Sequence, residues 1–270
     1  MGYERFVALG DSCTEGLDDP HPAGGRYRGW ADLAAARLAM DEPGFRYANL
    51  GVRGRRLDQI TAEQVPALNA LEPDLVALFG GANDVLTGSG SAEIARRVDT
   101  AVRRVTELAP NVVVFTLSDI SHRMPFGKRL RPRIESLNEA IREAAAGYGA
   151  RLVDLWPDRA ADDLRYFGRD RLHLSDLGHR RLAAHLLDAL AVPFEPSWLA
   201  DLPGDPARPN TRAHAEWLWH VVRPVAVTRV RNRLIGRSPG DGFLPKRPEL
   251  QPISTDEIRA WIAAPLPGNA

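Results

Sequence analysis

Five short apolar runs recur between segments of helical period: residues 6–9, 45–50, 74–79, 112–117 and 151–155. Runs of this length with little polar alternation suit strands buried on both faces. Trp30, Leu33, Ala34 and Leu38 fall at helical spacing after the first run. Leu57 to Leu71 suits a helix with a break at Pro66. Ser91 is expected to cap a helix that carries Ile94, Val98, Ala101, Val102 and Val105 on one face. A polar, basic loop is expected from Ser118 to about Arg133, with Lys128, Arg129, Arg131 and Arg133 in it. A helix through Ile134, Leu137, Ile141 and Ala145 follows, ended by Gly149, and another runs from Gly178 to Leu190. Strand and helix alternating in this way imply an α/β fold, a parallel sheet with helices on both faces. Right-handed crossovers then bring the carboxyl ends of the strands to one edge.

The texture changes at Pro193. Prolines cluster at 193, 196, 203, 206 and 209. We expect one domain over residues 1–195 and a C-terminal extension over 196–270, packed on the core rather than independent. Four of the six tryptophans, Trp198, Trp217, Trp219 and Trp261, lie in the extension and argue against a disordered tail. Helices are expected there over about 211–234, interrupted by Pro224, and over 255–262, with a Gly/Pro-rich stretch over 238–252 between them.

Lys plus Arg and Asp plus Glu each number 35, so the formal charge is zero and nothing marks a nucleic-acid binder. Cys13 is the single cysteine, so no intrachain disulfide can form. No stretch approaches the ~20 apolar residues of a membrane span, and no signal-peptide pattern precedes the first run. The expectation is a soluble, cytoplasmic protein without membrane association; the alternative to a packed extension is that its aromatic and arginine-rich helix lies on an anionic membrane.

The strand ends carry the chemistry. The first run is followed by Gly10-Asp11-Ser12, the second by Gly51 to Gly54, and the third by Gly80-Gly81-Ala82-Asn83-Asp84. After the fifth comes Asp170-Arg171-Leu172-His173. On a parallel sheet these loops share one edge, where ligands bind in open α/β folds. A hydroxyl, an imidazole and a carboxylate brought together suit acyl transfer. Ser12 would be the nucleophile, His173 the base and Asp170 its orienting partner. The Ser12 N–H, the Gly54 N–H and the Asn83 side chain would stabilise the oxyanion.

In these blocks the sequence resembles the SGNH hydrolases, or GDSL-type esterases and lipases. Gly10-Asp11-Ser12 with Gly16, then Gly54, then Gly81-Ala82-Asn83-Asp84, then Asp170-x-x-His173 follow the family's order over roughly residues 4–190. The resemblance implies a flavodoxin-like three-layer sandwich of about five parallel strands. It also implies cofactor-free hydrolysis of esters, thioesters or sugar acetates. Cys13 and Leu174 depart from the family's common residues without replacing a reacting group. The same site could serve an acyltransferase. A flavodoxin-like binding module without turnover is the alternative of another class, but it leaves Asp170 and His173 without a role. The expected partner is a small ester. No metal is expected, because His173 and His179 lack the spacing of a helical zinc pair.

Several residues read as structural. Asp11 suits a loop carboxylate bonded to nearby amides, Cys13 a small buried residue pointing away from Ser12, and Asp84 a brace for the Asn83 loop. Asn138 suits a cap or a surface position, and His179 the helix behind the active loop. An arginine of the basic run could instead meet a carboxylate or phosphate on the substrate.

Overall fold

The computed structural model describes residues 2–19, 27–125, 127–223, 236 and 240–263 of the 270. The chain runs β1 (Arg5–Gly10), α1 (Ser12–Glu15), α2 (Trp30–Asp41), β2 (Arg46–Asn49), α3 (Leu57–Glu63), α4 (Leu68–Leu71), β3 (Leu75–Phe79), α5 (Ala82–Thr87) and α6 (Ser91–Thr106). It continues through β4 (Val112–Phe115), α7 (Gly127–Tyr148), β5 (Arg151–Val153), α8 (Asp176–Ala189), α9 (Thr211–Trp217), β6 (Arg247–Pro252) and α10 (Thr255–Ile262).

The strands form one mixed sheet in the order β5-β4-β3-β1-β2-β6. All five expected strands pair in parallel. Successive residues of β1 point to opposite faces, so each strand feeds two cores. Phe6 and Ala8 join α2, α8 and α10 on one side. Val7 and Leu9 join α3, α6 and α7 on the other. β1 lies between β2 and β3, and the chain leaves β1 toward β2 but returns on its other side as β3. A crevice opens at such a switch point, beyond the carboxyl end of β1.

Three expectations are corrected. Ser91 is the first residue of α6 and does not cap it; Gly90 stands at the cap, while the five apolar residues of α6 are buried as expected. The basic run is not a loop: α7 starts at Gly127 and carries Lys128, Arg129, Arg131 and Arg133, with Pro132 inside it. Residues 247–252 form β6 antiparallel to β2, with a bulge between Tyr47 and Asn49. Pro248 and Pro252 are tolerated because β6 is an edge strand. The Pro66 break is present as a 3₁₀ turn over Val65–Ala67 between α3 and α4. The later part of the 211–234 helix lies outside the described residues; α9 continues as a π turn over Leu218–Val222.

The described residues beyond 195 pack against the core. Trp198 and Trp261 are buried, whereas Trp219 is exposed. Ser254 and Glu257 form a reciprocal cap on α10. Arg28 donates to the Trp261 carbonyl at 2.6 Å, and Arg247 Nε to the Tyr47 carbonyl at 3.0 Å. Lys246 pairs with the buried carboxylate of Asp32.

Candidate active site

β1 ends at Gly10, and Asp11 caps α1 by accepting the Cys13 N–H at 3.1 Å. Ser12 is thus the first residue of a one-turn helix. That helix closes at Gly16, whose φ of 97° and approach to the Arg28 carbonyl leave no room for a Cβ. Gln64 holds the strand end: it accepts from Gly10 N at 2.9 Å and donates to Gly10 O at 2.8 Å.

His173 comes from the loop before α8. The bridge between Phe167 and Leu174 closes that loop, and Arg171 turns it at a φ of 61°. One Asp170 oxygen accepts the Leu172 and His173 N–H groups at 2.9 Å each. The other lies 2.5 Å from His173 Nδ1. An ionised carboxylate only accepts, so Nδ1 carries the proton. Nε2, 2.8 Å from Ser12 Oγ, is left to accept the serine hydroxyl. Ser12, His173 and Asp170, expected together from the sequence, form one hydrogen-bonded chain across 161 residues.

Burial alone would push the His173 imidazole down. The bond and charge of Asp170, with Asp18 and Asp11 behind them, outweigh it and leave the pKa above the ordinary histidine value. Burial likewise works to raise Asp170, but the His173 bond and charge and two backbone amides hold it below the usual carboxylate range. Asp18, Asp170 and His173 are the one close group of three metal-type donors among the described residues, and two of them are already bonded to each other.

Gly54 has a φ of 75° and lines the cavity beside Ser12. The Ser12 and Gly54 N–H groups have no protein acceptor among the described residues. Asn83 is the second residue of α5 and lines the same cavity. Its amide donates to Asp11 Oδ2 at 3.0 Å and to the Arg55 carbonyl at 3.1 Å, so both hydrogens are engaged. Burial lifts the Asp11 pKa to about 6, against the Cys13 amide, which lowers it.

Asp84 is fully buried and accepts from Leu57 N at 3.0 Å and Arg97 at 2.7 Å, which braces the Asn83 turn. Cys13, expected to be buried and to point away from Ser12, is half-buried and lines the same cavity; burial pushes its thiol well above the ordinary value. Asn138 is neither a cap nor exposed. It is fully buried and clasps both the N–H and the carbonyl of Leu117 at 2.8 Å, which holds the end of β4 at the cavity. His179 is fully buried behind the site. Its Nδ1 accepts from Trp30 N at 3.1 Å and its Nε2 donates to Leu17 O at 3.1 Å; burial lowers its pKa to about 4. Sequence reasoning missed Gln64 and the clasp made by Asn138, because a buried amide that bonds main chain leaves no periodic signal.

The cavity measures about 480 Å³. Ser12, Gly54 and Asn83 line it, with walls that include Phe79, Leu117, Leu155, Tyr166, Leu174 and Leu182. Asp158, Arg181 and His185 also line it and are bonded through the carboxylate: Asp158 Oδ2 lies 2.7 Å from Arg181 Nε and 2.9 Å from His185 Nε2.

The sequence pattern of the GDSL-like lipase/acylhydrolase family matches residues 8–181. The chain belongs to that family, and with it to the hydrolases that act on ester bonds. Among solved structures, it is similar to LAE5, an alpha/beta hydrolase enzyme from the metagenome of Lake Arreo, Spain. The identity is 23%, over 72% of this chain and 99% of that one, with a TM-score of 0.61. It is similar to a variant of Axe2, an acetyl xylan esterase from Geobacillus stearothermophilus, at 20% identity over 72% and 98% of the two chains, TM-score 0.60. A member of the lipolytic protein G-D-S-L family from Veillonella parvula DSM 2008 matches at 19% identity over 69% and 97%, TM-score 0.56. At these identities the likeness speaks for the fold. No curated protein gives a significant match. No helix among the described residues is long and apolar enough to cross a membrane.

Proposed function

We propose that the chain hydrolyses carboxylic esters through an acyl-enzyme on Ser12, with His173 as base and Asp170 as its orienting partner. The observation that carries this is the hydrogen-bonded chain from Ser12 Oγ through His173 to Asp170. Nε2 takes the hydroxyl proton as Oγ attacks the ester carbonyl, and Asp170 stabilises the imidazolium. The new oxyanion accepts the Ser12 and Gly54 N–H groups. Asn83 becomes the third donor by exchanging its bond to Asp11 for one to the oxyanion, so it acts most strongly where charge develops. His173 then hands its proton to the leaving alkoxide. Water, activated by the same imidazole, releases the acid. The apolar cavity walls supply cover for the acyl chain.

We read the described residues beyond 195 as part of the same folded unit, supported by β6 on the sheet edge and Trp261 in the core. The nucleophile is tested with a fluorophosphonate and an aryl ester. Wild type should be labelled at Ser12 and turn over, and Ser12→Ala should lose both. Esterase activity that persists in pure Ser12→Ala protein would exclude the mechanism.

A further inference from the structure

The cavity wall holds three arginines, and two are neutralised. Arg53 pairs with Glu15, its Nε 3.0 Å from a carboxylate oxygen, and Arg181 pairs with Asp158 at 2.7 Å. Arg123 is different. It is 3% exposed, and no carboxylate lies within ion-pair distance among the described residues. Its Nε donates to the Arg171 carbonyl at 3.1 Å, and one terminal nitrogen donates to the carbonyls of Asp119 and Ala161 at 2.8 and 3.0 Å. The other terminal nitrogen reaches only the Ser118 hydroxyl, at 3.4 Å, which leaves one of its hydrogens without an acceptor among the described residues. The guanidinium lies over the Phe167 ring, 3.9 Å from its centroid.

The carboxylates near enough to influence Arg123 are Asp119, Asp162 and Asp170, and each has a closer partner. Asp119 pairs with Arg131 at 2.7 Å, Asp162 with Arg208 at 3.8 Å, and Asp170 with His173. Asp11, also on the wall, is bonded to Cys13 and Asn83 and is not among these carboxylates. Burial pushes the Arg123 pKa down to about 9, so it remains charged at neutral pH. A buried charge without a counter-charge is costly, and an anion brought beside it recovers a charge-assisted bond.

We propose that Arg123 forms a carboxylate subsite for the acyl group, so that the preferred substrates are hemiesters of short dicarboxylic acids. This rests on the acyl-enzyme reading above. The alcohol must depart after the first half-reaction while the acyl group stays attached, so the enclosed part of the cavity belongs to the acyl group. A planar guanidinium suits a terminal carboxylate.

The test compares 4-nitrophenyl hydrogen adipate and 4-nitrophenyl hydrogen glutarate with the neutral hexanoate and pentanoate, on wild type, Arg123→Lys and Arg123→Met. Wild type should favour the anionic ester at least tenfold in kcat/KM, about what one charge-assisted bond supplies. The ratio should fall to one or below in Arg123→Met and partly recover in Arg123→Lys. A purely structural Arg123 would lower all four rates together and leave the ratio intact, which would overturn the proposal. So would a wild-type ratio at or below one, which needs no variant. Thermal unfolding with free adipate gives a readout independent of turnover: adipate should raise Tm of wild type and not of Arg123→Met. If adipate binds in this way but no ester is hydrolysed, the acyl-enzyme reading fails and the subsite stands. If neutral esters turn over and adipate shifts nothing, the subsite fails alone.

Discussion

The two halves of the extension attach to the core in different ways. The first half, residues 196–223, lies against the loops that carry the site. Arg165 donates to the Pro203 carbonyl at 2.7 Å, Leu164 N to Ala207 O at 2.9 Å, and Arg181 to Leu199 O at 2.8 Å. Arg171, inside the Asp170–His173 turn, donates to the Ala213 carbonyl at 2.9 Å and meets His214 Nδ1 at 3.0 Å. The second half, residues 240–263, clips the far edge of the sheet through β6 and buries Trp261 beside Tyr47, ring centroids 6.5 Å apart. The first half braces a catalytic turn through polar bonds and buries Trp198, whereas the second covers apolar core with Trp261 and meets the Arg53–Arg55 loop through Asp241 and Phe243. Changes at the far edge should therefore cost stability, and changes at the site should cost rate.

The largest expected effect is on rate. His173→Ala should lower kcat by roughly 10⁴–10⁶-fold, as for other serine hydrolases that lose their base, and leave the unfolding curve close to that of wild type. The comparison is sharpened by Trp261→Ala. Removing a buried tryptophan costs about 3–5 kcal/mol, read by denaturant unfolding, while kcat of the folded fraction should hold. A fall in kcat at full folding would show that the far edge is coupled to the site. Asn83→Ala should lower kcat by roughly 10²–10³-fold, about 3 kcal/mol, with little change in KM. A pure KM effect would assign Asn83 to ground-state binding instead.

The smallest effect concerns pH. His173 works as a base only when neutral, and its pKa is raised, so activity should rise with pH through a midpoint above about 6.5 and be lost below it. Asp18 favours the imidazolium, so Asp18→Asn should move that midpoint to lower pH. Asp18 is exposed and screened, so the shift should shrink further in high salt. An unmoved or raised midpoint would remove Asp18 from the field of the imidazole.

The sequence by itself determined the five parallel strands, most helix faces and the place of Ser12, Asn83, Asp170 and His173 at one sheet edge. Each of these follows from hydrophobic period and from residues adjacent in the chain to a strand end or loop. It did not reveal β6, because an edge strand pairs by main chain and needs no apolar pattern. Residues 247–252 therefore read as a proline-rich link. Nor did it place Lys128 to Arg133 on a helix, since Leu130 is the single core-facing apolar residue of that stretch, too few to mark a period, and Pro132 reads as a breaker. Only the tertiary structure decided that both hydrogens of the Asn83 amide are engaged, that Asn138 clasps Leu117, and that Arg123 lies buried without a carboxylate partner among the described residues. These are contacts between segments far apart in sequence. Hydrogen-bond satisfaction and charge pairing depend on what surrounds a group in space, and neighbours along the chain do not specify that.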